Sequence, residues 1–129
     1  MSITENLSMV ENKIAAACKR AGRERDEVKL IAVSKTQPVE AIREAIEYGI
    51  NSFGENRVQE LREKTEIIKD NLDWHLIGHL QTNKVKYVVG KVSLIHSLEN
   101  IRLAEALDKE AAKLGITVDV LAEINVAKE

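Results

Sequence analysis

Lys35 follows the apolar run Leu30-Ile31-Ala32-Val33 with only Ser34 between. A lysine at the end of a covered strand is pushed toward a low-dielectric interior and loses preference for its ammonium form. The neutral amine can then attack a carbonyl and form a Schiff base. A lysine emerging from a strand end into solvent fits the same position, and spacing alone does not choose between them. The segment Phe53-Gly54-Glu55-Asn56-Arg57-Val58-Gln59-Glu60 is a strand-to-helix junction. Its glycine permits a tight turn, and Asn56 either caps the helix or hydrogen-bonds a bound group. By spacing, capping suffices.

Three histidines, His75, His79 and His96, raise the question of a metal. Spacing of four suits a metal on a helix, but His75 falls in a strand-like segment and Gly78 interrupts the geometry. No carboxylate stands at a matching distance, so no metal site is expected. His75 reads as a core histidine and His79 as a loop residue near a mouth. Lys84, Lys86 and Lys91 read as a solvated basic face. Cys18 lies beside an apolar helical stripe as a small hydrophobe.

The elements that must hold these residues alternate along the chain. Ile3, Leu7, Val10, Ile14, Ala17 and Ala21 repeat at helical steps, with Ser2 and Glu5 as a capping box and Gly22 at the end. A strand over Leu30 to Val33 is followed by a helix from Pro38 to Gly49. The pattern predicts further strands over Ile50 to Phe53, Trp74 to Ile77, Val92 to Ile95 and Val118 to Val126. Between them it predicts helices over Val58 to Leu72, Gln81 to Val89 and Ile101 to Leu114. Strands spaced in this way, with short loops, imply βα units and a parallel sheet in a single domain.

Two parallel architectures compete. A doubly wound nucleotide fold cradles phosphate in a glycine-rich turn after its first strand. Here that turn is Ser34-Lys35-Thr36-Gln37-Pro38, and no G-x-G-x-x-G or Walker motif occurs. A (β/α) barrel collects its chemistry at the C-terminal ends of its strands. Lys35, Glu55, Asn56, His79, His96 and Asn125 all fall there, which favours the barrel. About five of its eight strands are present, so the expected α/β fold is a TIM-barrel type partial barrel occupying 1–129.

Composition narrows the function classes. The 129 residues carry 19 basic and 21 acidic side chains, a net charge of −2. That balance gives no global attraction to nucleic acid or anionic membrane, and four aromatic residues make no base-stacking platform. No apolar run approaches the roughly 20 residues that cross a bilayer, and the N-terminus does not read as a signal peptide. One cysteine excludes an intrachain disulfide and fits a reducing cytoplasm. The expectation is a cytoplasmic protein with a small-molecule ligand.

Four blocks in order then make a specific match: Ala32-Val33-Ser34-Lys35-Thr36, Phe53 through Glu60, Trp74-His75-Leu76-Ile77-Gly78-His79-Leu80-Gln81-Thr82-Asn83-Lys84, and Ile95-His96-Ser97-Leu98. Together they resemble the YggS or PROSC type of pyridoxal phosphate homeostasis proteins. The resemblance implies a fold like the N-terminal barrel of alanine racemase, with pyridoxal 5′-phosphate (PLP) held as a Schiff base on Lys35. Asn56 and His79 are the expected companions of Lys35 at the mouth. It implies no catalytic activity, but a role in carrying or buffering the reactive aldehyde.

The chain is about half a family member in length, so a truncated or engineered fragment with weakened binding is expected. Two other functions stay open: a fragment of a PLP-dependent racemase or decarboxylase, and a half-barrel scaffold without ligand. The racemase needs a second proton-transfer group, and neither Tyr48 nor Tyr87, both within or at the ends of helices, is a candidate. An open sheet also leaves strand edges unpaired, from which self-association is expected.

Overall fold

A computed structural model describes residues 2–127. The first helix, α1 (Ile3–Ala21), begins where the Ser2 hydroxyl accepts the Glu5 N–H and ends at Gly22 in the left-handed region. Strand β1 (Ala32–Val33) leads through the Lys35 turn to α2 (Val39–Tyr48), for which Pro38 is the extended N-terminal cap. Then come β2 (Ser52–Glu55), α3 (Val58–Ile67) and β3 (Asp73–Leu76). A 3-10 helix (Thr82–Tyr87), β4 (Leu94–Leu98), α4 (Ile101–Leu114) and β5 (Val120–Ala122) complete the order. Asn100 caps α4 by accepting the Leu103 N–H at 2.8 Å.

The five strands form one all-parallel sheet in the order β1-β2-β3-β4-β5. Each crossover therefore advances to the next neighbour, with no reversal of strand order such as a doubly wound fold requires. This is the winding of a barrel, and here the sheet is open, with β1 and β5 at its edges.

Side chains alternate across the sheet and sort into two faces. Phe53, Trp74, Leu76 and Ile95 pack into one core with Ile42 and Ala45 of α2, Leu61 of α3, and Leu103 and Leu107 of α4. The rings of Phe53 and Trp74, neighbours in register, lie 5.7 Å apart. The opposite face carries Val33, Gly54, His75 and His96, and Val33 is 52% exposed there.

Several element boundaries differ from the sequence pattern. The helix expected to run from Val58 to Leu72 stops at Ile67, because Ile68 turns to extended backbone and is buried. An apolar residue that continues the helical stripe thus meets the core from a loop, not from a helix. The segment expected as a short helix over Gln81 to Val89 is a 3-10 helix, which buries Val85. The fourth strand runs to Leu98, so His96 lies inside it and not beyond its end. The fifth ends at Ala122, leaving Ile124 75% exposed.

Leu107 anchors α4 in the core at 4% exposure. Replacing it by Ala is expected to cost about 2–5 kcal/mol, the usual range for a buried leucine whose cavity does not collapse. Urea denaturation followed by circular dichroism reads this as a lowered midpoint with an unchanged slope.

Candidate functional site

Lys35 sits on a tight turn that leaves β1 at its C-terminal end. The Ser34 N–H still belongs to the ladder, donating to Gly54 O at 2.9 Å, and the Gln37 N–H closes the turn on Ser34 O at 3.0 Å. Between them Thr36 takes φ +61°. A β-branched residue is strained in that left-handed region and stays there only where its surroundings hold it. Here three hydrogen bonds do so. The Thr36 N–H donates to Glu60 Oε2 at 2.8 Å, its hydroxyl donates to Lys35 O at 2.6 Å, and Lys64 Nζ donates to Ser34 O at 2.6 Å.

Lys64 is the centre of this arrangement. It projects from α3, is buried, and donates also to Glu55 Oε2 at 2.7 Å and Glu60 Oε2 at 3.0 Å. Glu55, fully buried at the end of β2, receives the Ser34 hydroxyl on the same oxygen at 2.5 Å. A buried ammonium with three oxygen acceptors and a carboxylate partner is a satisfied charge. Glu60 is held below the usual carboxylate range, first by its hydrogen bond from Lys64 and then by the one from Thr36. It therefore stays ionised as the second anchor of the turn.

Lys35 itself is exposed, and among the described residues its amine has no hydrogen bond or ion pair. The expectation of a desolvated lysine is thus corrected. Among the described residues, the face of the sheet to which β1 contributes the exposed Val33 has no opposite wall, and the neighbouring turn stays in water.

Asn56 and His79 leave the same end of the sheet, after β2 and β3. They line one cleft of about 340 Å3 together with Arg57, Gln59, Gln81 and Lys84. Asn56 is exposed, and α3 has no side-chain cap: its N-terminal cap position is Arg57. The capping role that spacing suggested for Asn56 is not the one it plays. Instead it lies against Gly78, where an added Cβ would stand 2.2 Å from Asn56 O and 2.4 Å from Asn56 Oδ1. The Gly78 turn is fixed in turn by the buried Ser97 hydroxyl, which donates to Gly78 O at 2.6 Å. His79 is largely exposed, with Nδ1 2.6 Å from Glu99 Oε1.

The other two histidines meet each other. His75 Nδ1 lies 3.0 Å from His96 Nε2, with the rings edge-to-face. His75 is the core histidine that its apolar neighbours suggested, and its pKa lies below the ordinary 6.5 chiefly through burial, with Lys29 and His96 adding to the shift. Lys84 and Lys86, read as a plain solvated face, gather with Arg62 around the Tyr87 ring, the guanidinium carbon 3.8 Å from its centroid.

Sequence reasoning missed the clamp of Ser34, Glu55, Glu60 and Lys64. One signal was present, a carboxylate, Glu55, at the end of an otherwise uncharged strand; the i,i+4 Glu60–Lys64 pair reads as a surface pair.

No family model matches the chain. Among curated proteins, it is 52% identical over 130 residues to the pyridoxal phosphate homeostasis protein of Aquifex aeolicus (strain VF5), spanning all of this chain and 57% of that one. The protein of that name from Escherichia coli (strain K12) is 42% identical over 132 residues, with 98% of this chain and 56% of the relative covered. Among solved structures, PipY of Synechococcus elongatus PCC7942 with PLP bound superposes with a TM-score of 0.82 at 38% identity. The match covers 97% of this chain and 55% of PipY.

Winding and turn chemistry define the class: an open, singly wound parallel α/β sheet of the barrel type, bearing a lysine turn at the C-terminal end of its first strand. By sequence and by fold the chain is similar to the N-terminal part of the pyridoxal phosphate homeostasis proteins. It spans a little over half the length of the curated relatives it matches.

Gly78→Ala is expected to displace Asn56, since the new methyl would run into its backbone carbonyl as well as its side chain. Shifted Asn56 and Gly78-position amide signals in NMR spectra, with the α-helical circular dichroism kept, are the outcome that checks it. For His75, the unfolded chain takes up a proton first as pH falls. Stability from the neutral imidazole is complete above pH 6.5 and is lost below it, toward the lowered folded pKa. Denaturation midpoints should decline from pH 6.5 downward, and less steeply in His75→Gln.

Proposed function

We propose that this chain binds PLP as a non-catalytic carrier of the PLP homeostasis type, with Lys35 as the covalent anchor. The observation that carries the reading is PipY: its structure with PLP bound matches nearly all of this chain at 38% identity. The curated relatives named for PLP homeostasis support the biological role.

The residues present suit the cofactor. The Lys35 amine has no carboxylate partner among the described residues to compete for it, and its turn is clamped from below. Gly54, on the face away from the helices, leaves less than ordinary van der Waals room: a Cβ there would lie 3.3 Å from Ile31 Cγ2 and Ile77 Cδ1, and those side chains would have to give. The cleft beside Asn56 and His79 brings Arg57 and Lys84, cations suited to a phosphate, together with the amides of Gln59 and Gln81.

When bound, PLP supplies an electrophilic aldehyde carbon. Lys35 would hold the group through Nζ, the amine adding to that carbon and the aldehyde oxygen leaving as water. Asn56 offers both donor and acceptor to the ring substituents, and His79 stands at the rim with Glu99 setting its orientation.

Mixing the protein with PLP should produce the visible absorbance of a Schiff base. Borohydride reduction and peptide mapping should then find the label on Lys35. Lys35→Ala should remove the band; a band of undiminished intensity in that variant would assign the anchor to another lysine. No change in absorbance with the unaltered chain would reject the reading.

A further inference from the structure

Glu60 occupies the third position of α3, where a glutamate usually turns back to the N–H of the helix cap. Here its Oε2 goes elsewhere, accepting the Thr36 N–H at 2.8 Å and Lys64 Nζ at 3.0 Å. The Thr36 amide is the one that a positive φ turns out of the ordinary strand path. One carboxylate oxygen on α3 thus fastens a strained residue next to Lys35, and Lys64 fastens that oxygen to the buried Glu55.

We propose that Glu60 is a positioning residue for Lys35: its carboxylate holds the Thr36 turn in the left-handed conformation and so fixes where the Lys35 amine is presented. The inference rests on Lys35 being the PLP anchor. Among the described residues Glu60 does not bond the Lys35 side chain and does not line the Asn56–His79 cleft, so its action is through the turn. Without it, Thr36 relaxes toward negative φ and Lys35 samples many placements. Lys35 then loses its advantage over any other exposed lysine.

The test is selectivity of labelling, read on variants whose circular dichroism matches that of the unaltered chain, because unfolding would also bring the ratio toward one. The folded protein is treated with PLP below saturation, reduced with borohydride and mapped. The reading is the ratio of label at Lys35 to label at Lys13, an exposed lysine of α1. Glu60→Ala is expected to lower this ratio about tenfold, the worth of one charge-assisted hydrogen bond. Glu60→Gln keeps an oxygen acceptor and should hold the ratio near that of the unaltered chain. Amide exchange at Thr36 should quicken in the first variant and not in the second. If the alanine variant does not fold, Glu60→Asp keeps the charge in the first turn but shortens its reach, and should lower the ratio too.

A ratio unchanged in both Glu60→Ala and Glu60→Asp overturns the positioning role while leaving Lys35 as the anchor. A ratio near one in the unaltered chain overturns the anchor itself, and the positioning role falls with it. The two failures are told apart by the unaltered chain alone.

Discussion

The buried ammonium of Lys64 ties three elements that are distant in sequence. It reaches from α3 to the carbonyl that ends β1 and to the carboxylate that ends β2. Taking a lysine and a glutamate out of water is expensive, and the three oxygens around the ammonium offset that cost, while Glu55 Oε1 has no hydrogen-bond partner among the described residues. That dependence makes the arrangement specific. Any slip of α3 along the sheet, or of β1 against β2, would leave a buried charge without its partner. The turn carrying Lys35 inherits its placement from this pairing, including a threonine conformation that would not persist alone.

Around that tie, the sheet works as a frame with unequal faces. One face is packed by helices, and Phe53, Trp74, Leu76 and Ile95 fill it. The other carries small or polar residues near its middle, Gly54, His75 and His96, and an exposed Val33. Because every strand runs the same way, the segments leaving their C-terminal ends gather on one side: the Lys35 turn, Asn56 and His79. The close approach of Gly78 to Asn56 and the Ser97 bond to Gly78 then hold that rim together from the third and fourth strands. The candidate site and the bonds that hold it share the same end of the sheet.

Much of this was legible from residue types in order. Helical steps from Ile3 to Ala21 and from Ile101 to Leu114, closed by Gly22 and Gly115, are helices with those ends. Short apolar runs between helices were strands, and the lack of a glycine-rich phosphate turn pointed to a barrel winding and away from a doubly wound sheet. These features are local: they depend on periodicity, caps and turn residues within a few positions. The four ordered blocks named Lys35, Asn56 and His79 as candidates, and the parallel sheet brings their segments to one end.

Other features depended on neighbours far away along the chain. Ile68 continues a helical stripe in sequence, yet the core pulled it out of the helix. His96, expected beyond a strand end, stands within β4 and faces His75 from the next strand. Lys64 has nothing in its own segment to mark it as buried, for a lysine four residues after a glutamate reads as a surface pair. Only the packing of α3 against β1 and β2 removed it from water and gave it Ser34 and Glu55. Periodicity and end signals, being short-range, let the sequence by itself determine the elements, their winding and the lysine that could anchor a carbonyl. Burial and hydrogen bonding between segments 21 to 30 residues apart, as in Ser34 with Glu55 and with Lys64, exist only once the chain has closed on itself, so the tertiary structure alone decided what holds that lysine in place.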